Sequence, residues 1–228
     1  MLSPPCGSWS RANWANDDGP KPCRDRQHPW GFPNQRRAQQ QRADSGNEFV
    51  HFAIRAVQQA QVATKQGHAT RCILEHPEDL GRMSKGEPAS IWQLPEIRKA
   101  FGSTPFVTVA GHQCQFPGVD RKKPTRLLSD ILAVADFGKA GWPQFDTRGY
   151  YVGPLPMHCG HNHSQQMIGR NAAGGFHTSP TAAYPDGMCE FLALRIFRDF
   201  QSRHVSTFGG GSGPTALRDV TNATSASS

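Results

Sequence analysis

The chain has 228 residues, 36% of them hydrophobic, with 23 glycines and 18 prolines, which is apolar material for one modest core flanked by irregular stretches and not for several domains. Its 25 Lys+Arg against 18 Asp+Glu leave a formal net charge of +7, a balance that favours a polyanionic partner. No apolar run reaches the roughly 18 residues of a membrane-crossing helix, so no membrane association is expected.

Residues 1–45 are rich in Pro, Trp, Arg, Gln and Asn without periodicity and close on NQRRAQQQRAD, so they read as an irregular, disordered segment. The first predicted element starts at Ser45. Ser45 and Glu48 have capping-box spacing and lead into Phe49, Phe52, Ala53, Ala56, Val57, Ala60 and Ala63 at helical intervals, with Gly67 as the stop. Residues 70–74 (TRCIL) read as a buried strand that ends at Glu75-His76-Pro77, where proline opposes continuation of a ladder.

A short helix is predicted from Pro95, and strands at 105–110 and 125–132, each bounded by Gly or Pro. Residues 137–183 lack periodicity and read as an extended surface segment. Asp186 is the N-cap candidate of a last amphipathic helix, which reaches about Phe200 and is followed by a GGGSG-containing tail. Strands alternating with helices predict an α/β fold with a largely parallel sheet in which the 70–74 strand is central. Catalytic groups in such sheets collect beyond the carboxyl ends of the strands. The expected organisation is an irregular segment over 1–45, the folded body over 46–200 and a flexible tail over 201–228.

The opening SPPCGSWSR and the EHPEDLG after the first strand resemble two motifs of the cytosine-C5 DNA methyltransferases, a Pro-Cys loop and a Glu-Asn-Val or Glu-Asn-Pro strand end. HQCQF followed by KKPTRLLSD is similar to the downstream segment of phage-like members, and AYPDGMCEFLA to their terminal Pro-containing helix. The likeness spans roughly residues 3–200 and is closest to mobile-element-associated members. It implies an incomplete Rossmann-like class I methyltransferase fold, with Cys6 as the nucleophile and Glu75 as the carboxylate beside the base. Pro5, Arg11, Pro77, Lys123 and Arg126 are then implied as substrate contacts.

In that chemistry a cysteine thiolate adds to C6 of cytosine and makes a transient enamine, while the carboxylate shares a proton at N3. The target base must be flipped out of the duplex. Arg24, Arg26, Arg36, Arg37 and Arg42, with Arg121, Lys122, Lys123 and Arg126, are the candidates for phosphate contacts, and weak, salt-dependent nucleic-acid binding is expected.

The family's S-adenosylmethionine cradle, a glycine-rich loop and a strand-end acid that precede the Pro-Cys loop, has no counterpart in the residues read. Its Gln-x-Arg-x-Arg segment is also absent, because Gln144 and Arg148 have the wrong spacing. The resemblance therefore implies a partial or remnant methyltransferase, inactive in methyl transfer unless a separate upstream half supplies the cofactor site. The alternative is a non-catalytic module of a mobile-element product that binds nucleic acid or protein. An intracellular location is expected, nuclear if the chain acts on DNA.

The six cysteines are spread without framework spacing and read as free thiols. Cys72 and Cys189 lie in apolar periodic stretches and read as core thiols. Residues 157–163 (MHCGHNH) concentrate a thiol and three imidazoles, a ligand set that zinc prefers. Structural zinc draws on two separated pairs, and a second pair is not evident unless His112 and Cys114 approach. The segment therefore reads as an exposed polar loop, and no metal site is assigned. Trp9, Trp14 and Trp30 either stack on bases or pack a loop over the sheet edge. GGFHTSP, at 174–180, lacks the Gly-Lys-Ser/Thr ending of a phosphate loop.

Overall fold

The computed structural model describes residues 1–208 except Asn16, Gln165, Gln166, Ile168 and residues 179–181. After a short helix α1 (Ala12–Ala15), the long helix α2 covers Arg37–Lys65. It begins about two turns ahead of Ser45 because Arg, Ala and Gln at 37–43 are strong helix formers. Ser45 thus sits inside the helix, which has no side-chain cap. Gly67, at φ +89°, ends the run as predicted.

The sheet consists of β1 (Ile73–Pro77), β2 (Val107–His112), β3 (Pro124–Ser129) and β4 (Lys139–Ala140) in the order β1-β3-β2-β4. All its paired strands are antiparallel, with Glu75 opposite Leu127 and Leu127 opposite Val109. The expected parallel pairing is overturned because the 113–123 connection holds only a 3-10 turn, whereas parallel neighbours need a crossover of a dozen or more residues, usually a helix. β1 and β2 still run the same way, on either side of β3.

β1 lies at the edge of this sheet and not at its centre. Its free side carries Leu2, in a parallel bridge to Leu74 with Leu2 N–H donating to Ile73 O at 2.7 Å and Glu75 N–H to Leu2 O at 2.8 Å. The strand also passes through Pro77, which pairs with Thr125. Proline is tolerated there because that stretch has a neighbour on one side only.

Alternation along the strands builds two cores. Leu74 and Leu128 face α2, packing with Val50, Ala53, Val57 and Trp92 and with Ile97 of the short helix α3 (Pro95–Arg98). Ile73, Val109 and Leu127 face the last helix, α4 (Asp186–Phe208), against Met188 and Leu192. The result is an α/β arrangement of helices on both faces of an antiparallel sheet.

Helix α4 runs through residues 201–208, so it takes in the first part of the expected tail, while 209–228 with the GGGSG run lie outside the described residues. Residues 137–183 hold a small hairpin of β5 (Gln144–Phe145) and β6 (Tyr151–Gly153), and they bury Tyr151 and Leu155, so they are not wholly surface. Cys72 is buried as expected, but Cys189 is exposed and is not a core thiol. Among the described residues no helix is long and apolar enough to cross a membrane.

The N-terminal stretch is irregular in path yet tightly packed. Trp9, Cys23 and Arg24 are buried. Arg24 donates to Pro29 O, Asn47 Oδ1, Ser8 Oγ and Ala43 O and lies 3.9 Å from the Trp9 ring centre. It is therefore a strut between this segment and α2, not a phosphate contact. Gly46 permits the docking, since a Cβ there would overlap Ser8 Oγ and crowd Trp9. In an exposed helix Gly→Ala stabilises by roughly 0.5–1 kcal/mol. Gly46→Ala is expected to destabilise by about 1–3 kcal/mol through overpacking. Denaturant unfolding checks the sign, and a stabilised variant would contradict this docking.

Candidate active site at the strand ends

The bridge from Leu2 to Leu74 fixes where the Pro-Cys loop falls. Leu2, β1 and β2 point the same way, so the loop leaving Leu2 meets the end of β1, the end of β2 and the start of β3 at one edge of the sheet.

Glu75 is 3% exposed. Its Oε2 accepts from Ser3 Oγ at 2.7 Å and from Tyr184 Oη at 2.6 Å. Its Oε1 is buried and has no partner among the described residues. Such an oxygen is costly in a finished core and is a ready acceptor for a ligand's proton.

Cys6 is half-buried, and burial pushes its thiol above the ordinary value. The Lys123 ammonium acts in the opposite direction and the Glu75 carboxylate in the same one, which places all three groups within electrostatic reach. Lys123 Nζ also lies 5.8 Å from the Tyr184 ring centre. Burial and the adjacent Glu75 keep the Tyr184 phenol protonated well beyond its usual range. Beside Lys123 and Tyr184 opens a cleft of about 360 Å³, lined also by Gln113, Asp120, Arg121 and Asp186.

Of the residues predicted from sequence, Cys6, Glu75 and Lys123 come together, and Pro5 is exposed beside Cys6. The others have structural positions. Arg11 donates to Leu80 O at 3.2 Å. Pro77 is in the ladder, with its carbonyl accepting from Trp92 Nε1 at 2.8 Å.

Arg126 is a correction. It is fully buried, and its guanidinium is taken up by Glu78 at 2.6 and 2.7 Å, by Thr108 Oγ1 at 2.7 Å and by Gly141 O. No substrate reaches it. His76, the departure from the Glu-Asn pattern, is on the opposite face of β1, with its ring centre 6.3 Å from that of Trp92. Burial lowers it to about 3, so it adds no charge beside Glu75.

Ser3, Tyr184 and Gln113 belong to the site and were not singled out from the sequence. Ser3 and Tyr184 do lie within the SPPC and AYPDG stretches that carry the resemblance. Gln113 donates to Thr125 Oγ1 at 3.0 Å, which joins β2 to β3 at the cleft.

A half-buried thiol and a buried carboxylate with one unsatisfied oxygen, set beside the phenol and the lysine that line the neighbouring cleft, are the parts for nucleophilic addition coupled to proton sharing. With its thiol raised, Cys6 is expected to alkylate more slowly than a free cysteine at neutral pH and to speed up as the solution becomes alkaline. Lys123→Ala should slow it further, and Glu75→Gln should accelerate it by removing the charge that opposes the thiolate. Iodoacetamide labelling of the Cys6 peptide, followed by mass spectrometry over pH, measures this.

The fold is thus α/β with an antiparallel sheet, and the site is a cysteine–carboxylate pair beside a cleft at one end of its strands. No family model, no curated protein and no solved structure matches the chain.

Proposed function

We propose that this edge is the base-modifying half of a cytosine-C5 methyltransferase-like site acting on nucleic acid. The observation that carries the reading is the meeting of the Pro-Cys thiol with Glu75 of β1, whose Oε1 is buried and has no partner among the described residues. A cytosine flipped in beside these two groups would present C6 to Cys6 and its N3 edge to Glu75. Loss of the Cys6 thiol proton and addition of the thiolate form the S–C6 bond and make C5 a nucleophilic enamine carbon, and Glu75, held by Tyr184, carries a proton to N3 so that the adduct is neutral. Arg121 and Lys123 on the cleft supply positive charge for the backbone. Arg24 and Arg126 drop out of that set.

S-adenosylmethionine, the donor that the resemblance implies, supplies an electrophilic methyl group when bound. Among the described residues none of β1, β2 or β3 leads through a glycine-rich turn into a helix N-terminus, the usual cradle for such a cofactor. The residues present do not fit it. Methyl transfer then requires a cofactor site from residues outside the described ones or from a separate half-domain.

The addition step needs no donor and is testable alone. Reversible thiolate addition lets C5 take a proton from water and release its original hydrogen before the thiolate leaves. Release of tritium from cytosine labelled at C5 in single-stranded DNA supports the reading. A folded chain that binds DNA without release would sink it in favour of a non-catalytic binding module.

A further inference from the structure

Outside this pocket a second group of reactive side chains converges. Cys114, Cys159, His161 and His163 bring two sulfurs and two ring nitrogens within 4.8 Å of one another. Cys114 is buried in the 3-10 turn at the end of β2, whereas the other three come from the irregular stretch after β6, where they alternate as Cys-x-His-x-His.

We propose that these four residues bind one Zn²⁺ as a closed, structural S₂N₂ centre. Two thiolates and two imidazoles in tetrahedral reach are the donor set that selects zinc over the oxygen-preferring Mg²⁺ and Ca²⁺. Four protein ligands leave no open position, which is the mark of a structural site and not a catalytic one. Bonds of about 2.3 Å to sulfur and about 2.0–2.1 Å to nitrogen set tetrahedral donors roughly 3.3–3.8 Å apart. Cys159 Sγ already lies 3.0 Å from His163 Nε2. Small side-chain movements would draw the other donors onto one ion.

An independent feature points to the same ligand. With Nε2 of His163 turned to Cys159, its Nδ1 is buried without a hydrogen-bond partner among the described residues and lies 3.8 Å from Asp120 Oδ1. Asp120 is itself held by the backbone N–H of Ser164 at 3.1 Å and by Ser164 Oγ. A carboxylate behind the far nitrogen of a histidine fixes its tautomer and raises its basicity, as metal-binding histidines require.

The sequence by itself assigns no metal for want of a second group of ligands. The turn after β2 supplies Cys114, and His112 is not part of the set. The ion would tie the 113–123 connection to the stretch after β6. Because Gln113, Asp120 and Lys123 line the cleft, it would brace that wall.

Metal analysis of the full chain, purified without chelator, tests this independently of any activity on cytosine. One zinc per chain is expected. Cobalt substitution should give tetrahedral ligand-field bands with thiolate charge transfer, a readout that needs no variant. Cys159→Ser and His163→Ala should lose the ion, Asp120→Asn should weaken binding about 10–100-fold, and Cys189→Ser, at an exposed cysteine outside the set, should retain it. Metal well below one equivalent, a cobalt spectrum without thiolate bands, or full zinc in a Cys114→Ser/Cys159→Ser variant would overturn the proposal.

Discussion

Cys6→Ala is expected to reduce hydrogen exchange at C5 of cytosine to the uncatalysed rate, while Glu75→Gln leaves a residue of activity about 10²–10⁴-fold below the unaltered chain. The difference follows from the roles. Without the thiol the S–C6 bond cannot form and there is no enamine to exchange. Without the carboxylate the addition still occurs, but the electron-rich ring loses its proton partner. Tyr184 and Ser3 both hydrogen-bond to Glu75 Oε2 and leave Oε1 for the base, so the amide of the Glu75→Gln variant would keep the shape and lose the charge.

The exchange rate should also climb with pH in the alkaline direction, since burial raises the Cys6 thiol and only the thiolate adds. Lys123→Ala should move that climb to still higher pH. Tritium release across a pH series, with the three variants, is the measurement. Exchange that survives Cys6→Ala, or a rate that falls as pH rises through the thiol range, would remove the nucleophile assignment.

The largest stability effect is expected at Arg126. Arg126→Ala would strip the buried Glu78 carboxylate of its guanidinium and cost about 3–5 kcal/mol, a large part of the roughly 5–15 kcal/mol that holds a domain together. Tyr151 Oη, 2.9 Å from Glu78 Oε1, would be the main donor left to it.

The sign of the pH dependence is fixed by burial. Glu78 is already raised above the ordinary carboxyl value, chiefly by desolvation, with Arg126 opposing. Removing Arg126 raises it further, so the folded variant favours the protonated acid. Such a group penalises the fold above its unfolded value and ceases to do so below it. The deficit of Arg126→Ala should therefore narrow as pH falls through the carboxyl range. Arg126→Met combined with Glu78→Gln should recover part of the loss, because it leaves no buried charge. Urea unfolding of the variants at neutral and acidic pH gives the comparison. A deficit under about 1 kcal/mol, the size of an exposed ion pair, would show that the pair is not buried as described.

Local chemistry was legible in the order of residues. The apolar spacing of 49–63 marks α2, Gly67 its end, and the apolar runs place β1, β2 and β3 to within a few residues, because these signals depend on neighbours in the chain. The Pro-Cys loop and Glu75 could be named by the resemblance of SPPC and EHP to short motifs, which are likewise runs of chain neighbours. Strand direction could not, since it depends on which segment β3 inserts between, and pairing is a contact between residues far apart.

Charge was misread where burial decided its meaning. Arg24 and Arg126 have the same side chain as the exposed Arg36 and Arg37, but only the packed chain shows that their donors are already taken. Cys114 and Cys159 are separated by β3 and the β5–β6 hairpin, so nothing in their spacing marks them as partners. The fold brings them within reach, the turn after β2 and the loop after β6 meeting with their donor atoms within 4.8 Å of one another. The sequence by itself determined which reactive groups the protein owns and which helices and strands carry them. The tertiary structure alone decided which of those groups meet, because a thiol, a carboxylate or an arginine acts through its surroundings, and those come from distant parts of the chain.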